Sequence, residues 1–111
     1  MLPASQRVNA NSLTGTATLI VGHRCVLTAV RALNTTAAAA YTQLFDAALA
    51  ADVTLGTTLP DWAVRSDASD PSLGDGLPES GLVFVNGIVA ASTTTLLGST
   101  GAIQHVRFGS I

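Results

Sequence analysis

Lysine is missing from this chain of 111 residues, and its five cations are all arginines: Arg7, Arg24, Arg31, Arg65 and Arg107. They are scattered, with no basic run and no interleaved aromatics, so the counterion release that drives nucleic-acid binding has little to draw on. Charge of either sign is scarce, at 11% of residues, with a formal net charge of −2. A single cysteine, Cys25, excludes an intrachain disulfide and removes any need for an oxidising compartment. The start, Met1 to Arg7, lacks a basic stretch leading into a long apolar one, which argues against a secretory signal. No apolar run approaches the roughly 20 residues of a membrane helix. These absences point to a soluble protein made in a cytoplasm, with neither nucleic acid nor membrane as a partner.

Aromatics amount to 5%, while hydrophobic residues reach 48%, so the core must be built largely from Ala, Val, Leu and Ile. Disordered chains show the opposite balance of low hydrophobicity and high charge. The length suits one domain, which at this size hides roughly two-thirds of the surface its unfolded chain exposes. That is enough for one thin core and leaves little room for a deep catalytic cavity. With so few charges, the surface must either pack against partners or rely on Thr, Ser, Asn and small residues.

Residues 1–12 are polar and read as an extended arm or a first edge strand, ahead of a single domain over 13–111. Thr16 to Val21 and Arg24 to Leu33 are β-type runs on either side of Gly22-His23, which reads as a hairpin. Residues 37–52 fit two patterns. Tyr41, Leu44, Phe45, Ala48 and Leu49 fall on one helical face; alternatively, Tyr41, Gln43 and Phe45 share one strand face and Thr42, Leu44 and Asp46 the other. Residues 67–81 hold two prolines, three glycines, three aspartates and a glutamate, which is loop chemistry. Leu82 to Val85 and Ile88 to Ala91 flank Asn86-Gly87, a strong hairpin signal that also fits a kink or bulge. At the end, Ala102, Gln104, Val106 and Phe108 alternate with Ile103, His105 and Arg107. Several short strands punctuated by turns predict an all-β, single-domain antiparallel sandwich or jelly-roll-like barrel, with room for one short helix near residues 46–52.

Chemistry-bearing groups are few. His23, Cys25 and His105 are the only His/Cys set, and their spacing matches no zinc pattern. Cys25 paired with a histidine could be a nucleophile only in an electropositive, accessible pocket, whereas on a strand it is a small core hydrophobe. Asp67, Asp70, Asp75 and Glu79 could offer oxygens to calcium, but the spacing is not that of an EF-hand and two prolines interrupt it. Asp46 with Asp52 or Asp61 could form a carboxylate pair for acid–base work, although nothing in the sequence sets their separation. No Gly-x-Ser-x-Gly elbow or phosphate loop occurs. We therefore expect no enzyme, no metal and no cofactor. Trp62, the only tryptophan, reads as core packing or as an interface anchor.

The segment Ala40-Tyr41-Thr42-Gln43-Leu44-Phe45-Asp46-Ala47, followed by Asp52, Gly56 and Pro60, resembles a pattern of small structural proteins encoded by tailed phages. So does Asn86-Gly87-Ile88-Val89-Ala90-Ala91-Ser92-Thr93, with Val30 to Thr36 upstream. The resemblance spans roughly Val26 to Thr95 and implies that Tyr41 to Asp46 is a strand. It implies a virion protein made in the host bacterial cytoplasm: a capsid decoration or cement protein, acting as a homotrimer on the major capsid protein or other virion proteins. A tail, neck or fibre component is the alternative, and a small metal-binding or enzymatic domain the rival from another class. Interface candidates are Leu2, Arg7, Trp62, Phe84 and Phe108.

Overall fold

The computed structural model describes residues 6–34, 37–67 and 80–110, without the side chains of 6–12, 107 and 110. The described residues form eight strands, in order β1 (Gln6–Leu13), β2 (Thr18–Val21), β3 (Cys25–Leu33), β4 (Ala40–Asp46), β5 (Trp62–Ser66), β6 (Leu82–Phe84), β7 (Ile88–Thr93) and β8 (Gln104–Ser110). A single 3-10 turn, Ala50–Asp52, lies in the 46–52 region where a short helix was expected. Tyr41 to Asp46 is a strand, as the resemblance implied.

Two antiparallel sheets of four strands carry the orders β1-β8-β3-β6 and β2-β7-β4-β5. The pairing is nested: β1 with β8, β2 with β7, β3 with β6 and β4 with β5. One long antiparallel ribbon, folded over on itself, produces this order. Cross-pairing of β3 with β8 and of β4 with β7 completes each sheet. Eight strands in two sheets with this nesting form a jelly roll, so the expected all-β sandwich is what the chain adopts.

Neither expected hairpin forms. β2 and β3 lie in different sheets, as do β6 and β7. Gly22-His23 and Asn86-Gly87 are instead the two sides of one corner. Val21 stands opposite Ile88 and Cys25 opposite Phe84, so four residues forward on one side match four back on the other. The ribbon thus keeps register while it bends from sheet to sheet, as strands that switch sheets do. The bend needs close backbone approach at Gly87, which has φ 144°; a Cβ there would strike the Val21 carbonyl and lie 2.9 Å from that of Ala47.

Strand β1 occupies the edge beside β8, from Gln6 opposite Ser110 to Leu13 opposite Gln104. It runs through the arm-to-domain boundary expected after residue 12. Residues 1–5 lie outside the described residues.

The space between the sheets is filled by Leu13, Val21, Cys25, Leu27, Val30, Ala32, Leu44, Val64, Phe84, Ile88, Ala90, Val106 and Phe108. Alternation explains the set: along β8, Val106 and Phe108 are buried and His105 is exposed. A second small cluster, Phe45, Ala47, Val53 and Val89, lies on the opposite face of the β2-β7-β4-β5 sheet, packed against Ala17, Ala50 and Leu55. Residues 47–55 therefore cover the outer side of β4 and β7. Strand β4 is apolar on both faces because both are covered.

Candidate functional site

Beside that second cluster lies a cleft of about 320 Å³, lined by Phe45, Asp46, Ala47, Ala48, Asp52, Val53, Thr58, Asp61 and Asn86. The three aspartates weighed as carboxylate partners thus share one place. β4 delivers Asp46 at its last residue, the 3-10 turn delivers Asp52, and Asp61 precedes β5. Their hydrogen bonds show how they are used. The Asp46 carboxylate accepts the N–H of Val85 at 3.0 Å and of Asn86 at 2.7 Å, which ties the ribbon's corner to β4. The N–H of Asp46 donates to Asp61 Oδ2 at 2.7 Å, and the Asp61 N–H donates to the Leu44 carbonyl at 2.8 Å.

Partial burial pushes the Asp46 carboxyl upward, but the N–H groups of Asn86, Val85 and Gly87 and the Asn86 side chain outweigh it and hold the group below its ordinary value. A general acid needs the opposite shift, toward the working pH. Asp46 is an anchored anion whose geometry builds the corner.

Cys25 is buried, and its thiol is pushed up by that burial and by the nearby Asp46 charge, the reverse of what activates a nucleophile. His23 is exposed, and its Nδ1–H donates to the Arg24 carbonyl at 3.0 Å. His105 is exposed on β8 opposite Leu33. Among the described residues no group of three His, Cys, Asp or Glu side chains comes together as metal ligands. Asp70, Asp75 and Glu79 lie outside the described residues; Asp67 is exposed and pairs with Arg65 at 3.2 Å.

Burial separates the aromatic candidates. Phe84 and Phe108 are 1% and 2% exposed and belong to the core between the sheets, so neither offers a surface to a partner. Trp62 is half-buried on edge strand β5, packed against that core, and its buried Nε1–H has no acceptor among the described residues. Arg7 stands on β1 opposite Gly109, and Leu2 lies outside the described residues.

Two buried glutamines escaped the sequence reading. Gln104, from β8, crosses between the sheets: Thr42 Oγ1 and Ser92 Oγ donate to its Oε1 at 2.9 and 2.7 Å. Its Nε2 has no partner among the described residues. Turning the amide would only exchange the bare atom. On the outer face of the β2-β7-β4-β5 sheet, Gln43 Nε2 donates to Thr93 Oγ1 at 2.8 Å and to the Gly98 carbonyl at 3.1 Å, pinning the β7–β8 loop. A signal was present: Gln104 alternates in phase with Val106 and Phe108, and a polar residue in phase with a core face is a buried one.

Comparison with known proteins finds no matching family model, no similar curated protein and no similar solved structure. The jelly-roll assignment therefore rests on strand order and pairing alone. No helix among the described residues is long and apolar enough to cross a membrane.

Proposed function

We propose that this chain is a structural protein of a phage virion, a decoration subunit that docks on the major capsid protein of the assembled head and holds the shell together. One contrast carries the reading. Of the carboxylates that could have done chemistry, Asp46 and Asp61 accept backbone N–H groups that build the fold, while large apolar side chains stand in solvent on the β7–β8 connection. Leu96 and Leu97 are 49% and 53% exposed on that loop, and Ile103, at its exit, is 54% exposed. The loop that presents them is braced at its base by the Thr94 N–H to Thr100 carbonyl bond, at 2.9 Å, and by Gln43. A braced loop with apolar tips suits a docking element, since exposed apolar groups in company mark interaction sites.

A subunit that binds only the assembled shell stabilises it by mass action. Jelly rolls occur in capsid subunits, lectins and cupins alike, so the topology is compatible with this role without selecting it. The test adds purified protein to expanded heads of the parent phage and measures co-sedimentation and shell melting. Saturable binding and a raised melting temperature are expected, both lost in Leu96→Asp/Leu97→Asp. Protein left in the supernatant at every concentration overturns the reading.

A further inference from the structure

Asn86 is the only asparagine of the chain that precedes a glycine. Asn-Gly forms tight turns, and its amide is also chemically labile. The backbone nitrogen of Gly87 can attack Cγ of the Asn86 side chain, with no Cβ on the glycine to hinder the approach. The N–C bond that forms closes a succinimide ring; the proton of that nitrogen passes to solvent base, and the side-chain nitrogen leaves as ammonia. Water then opens the ring. The net change consumes water, releases ammonia and leaves an aspartate or isoaspartate carboxylate where the amide stood, with no oxidant or reductant involved.

The fold treats the two residues differently. Asn86 is exposed and lines the cleft, whereas Gly87 is buried. The Asn86 N–H donates to Asp46 Oδ1 at 2.7 Å and the Val85 N–H to Oδ2 at 3.0 Å. The Gly87 carbonyl accepts the Ala47 N–H at 3.3 Å, and a Cβ on Gly87 would lie 2.9 Å from the Ala47 carbonyl and 3.3 Å from the His23 nitrogen. Ring closure needs the reacting atoms aligned at about 3–3.5 Å, and a segment pinned on both sides is not free to turn into that geometry. The product also differs from the reactant in charge. A carboxylate at position 86 would join those of Asp46, Asp52 and Asp61 around one cleft, and like charges sharing a site oppose each other's ionisation. Cys25 at the start of β3, and exposed His23 and Arg24 in the facing turn, are the other titratable groups at this corner. We propose that Asn86-Gly87 is a deamidation site which the Asp46 anchor keeps closed in the native fold, and that its conversion to a carboxylate opens the corner irreversibly. The corner is then a one-way timer: local opening admits the reaction, and each product molecule closes less well than its parent. Shell docking is not required, because purified protein alone shows the effect.

Peptide mapping by mass spectrometry, on protein held at mildly alkaline pH, follows the amide of Asn86 over time. In the native wild type its loss should be roughly tenfold or more slower than in the urea-unfolded chain, because the reaction waits for local opening. Asp46→Asn with a native circular dichroism spectrum should lose the Asn86 amide several times faster than wild type, and Asp46→Ser serves if that spectrum is lost. Asn86→Asp supplies the product directly. It should melt below wild type at neutral pH, where both carboxylates are charged. Repulsion raises the folded value of the pair, so the penalty is present above the ordinary carboxylate range, at about pH 4, and fades as pH falls through it. Equal rates in folded and unfolded wild type, a folded Asp46 variant no faster than wild type, or an Asn86→Asp chain as stable as wild type at neutral pH overturns the proposal.

Discussion

At Asp46, backbone amides 39 and 40 residues downstream hold one carboxylate, and the consequence is measurable in acid. The folded state holds this carboxyl below its ordinary value, so the native chain releases its proton more readily than the unfolded one. The stabilisation this provides is complete above the ordinary carboxylate range, at a pH of about 4, and is lost as pH falls through that range to the lower folded value. Asp46→Asn removes the ionisation and weakens both bonds to the corner. At neutral pH the variant should be less stable by roughly 1–3 kcal/mol, the size of a charge-assisted hydrogen bond. The wild type should then lose its advantage between about pH 5 and 3. Urea midpoints across that range check both parts, and parallel curves would rule Asp46 out as the acid-sensitive group. The buried amides of Gln43 and Gln104 belong to the same scale. Each makes specific bonds and leaves one polar atom bare, a cost of about 1–3 kcal/mol per group. These polar groups fix how β4, β7 and β8 register against each other, which an apolar core of Ala and Val would specify less sharply.

Among the elements, the corner formed by Gly22-His23 and Asn86-Gly87 shows what local sequence can and cannot specify. Asn-Gly between apolar runs signals a sharp change of direction, and one is present. Whether the chain returns beside itself or passes to another sheet depends on which distant strand is available, and here β3 and β6 already pair across the bend. Strand β4 is the converse case. Its Tyr41, Leu44 and Phe45 mimic helical spacing because both of its faces are buried, one against the opposite sheet and one under residues 47–55. The alternation of β8 and the strand run of β3 were legible, since each buries mainly one register of side chains, whereas β7, buried on both faces, was legible as a short apolar run after a turn signal. The corner itself is open to test through Gly87→Ala. The added Cβ meets the Val21 and Ala47 carbonyls at a φ that side chains rarely adopt, so something must move. We expect a loss of about 2–4 kcal/mol, typical of overpacking combined with backbone strain. A denaturation midpoint unchanged from wild type would mean that the corner is looser than its geometry implies.

For the molecule as a whole, nested pairing makes the first and last strands mutual neighbours, with Gln6 opposite Ser110. The outermost pair of the ribbon therefore joins the residues most distant in sequence, and the edge beside β8 is guarded by β1 alone. This sets two pictures of the N-terminal region against each other. A detachable arm ending near residue 12 could be removed with little effect on the domain, whereas a strand could not. Deleting residues 1–13 strips the backbone partners of β8 from Val106 to Ser110 and removes Leu13, which is 1% exposed in the core. Losing the Leu13 side chain alone costs about 2–5 kcal/mol, against a total stability of about 5–15 kcal/mol for a domain of ordinary size. The bared β8 would also present unpaired N–H and C=O groups to neighbouring molecules, the usual start of edge-to-edge aggregation. The shortened chain should thus be largely unfolded or aggregated at room temperature, with an ill-dispersed amide NMR spectrum. Deleting only residues 1–5 should leave the melting temperature within a few degrees of the full chain. If the longer deletion instead melts cooperatively near the wild-type temperature, β1 is an arm laid against a self-sufficient seven-stranded body, and the ribbon begins at β2.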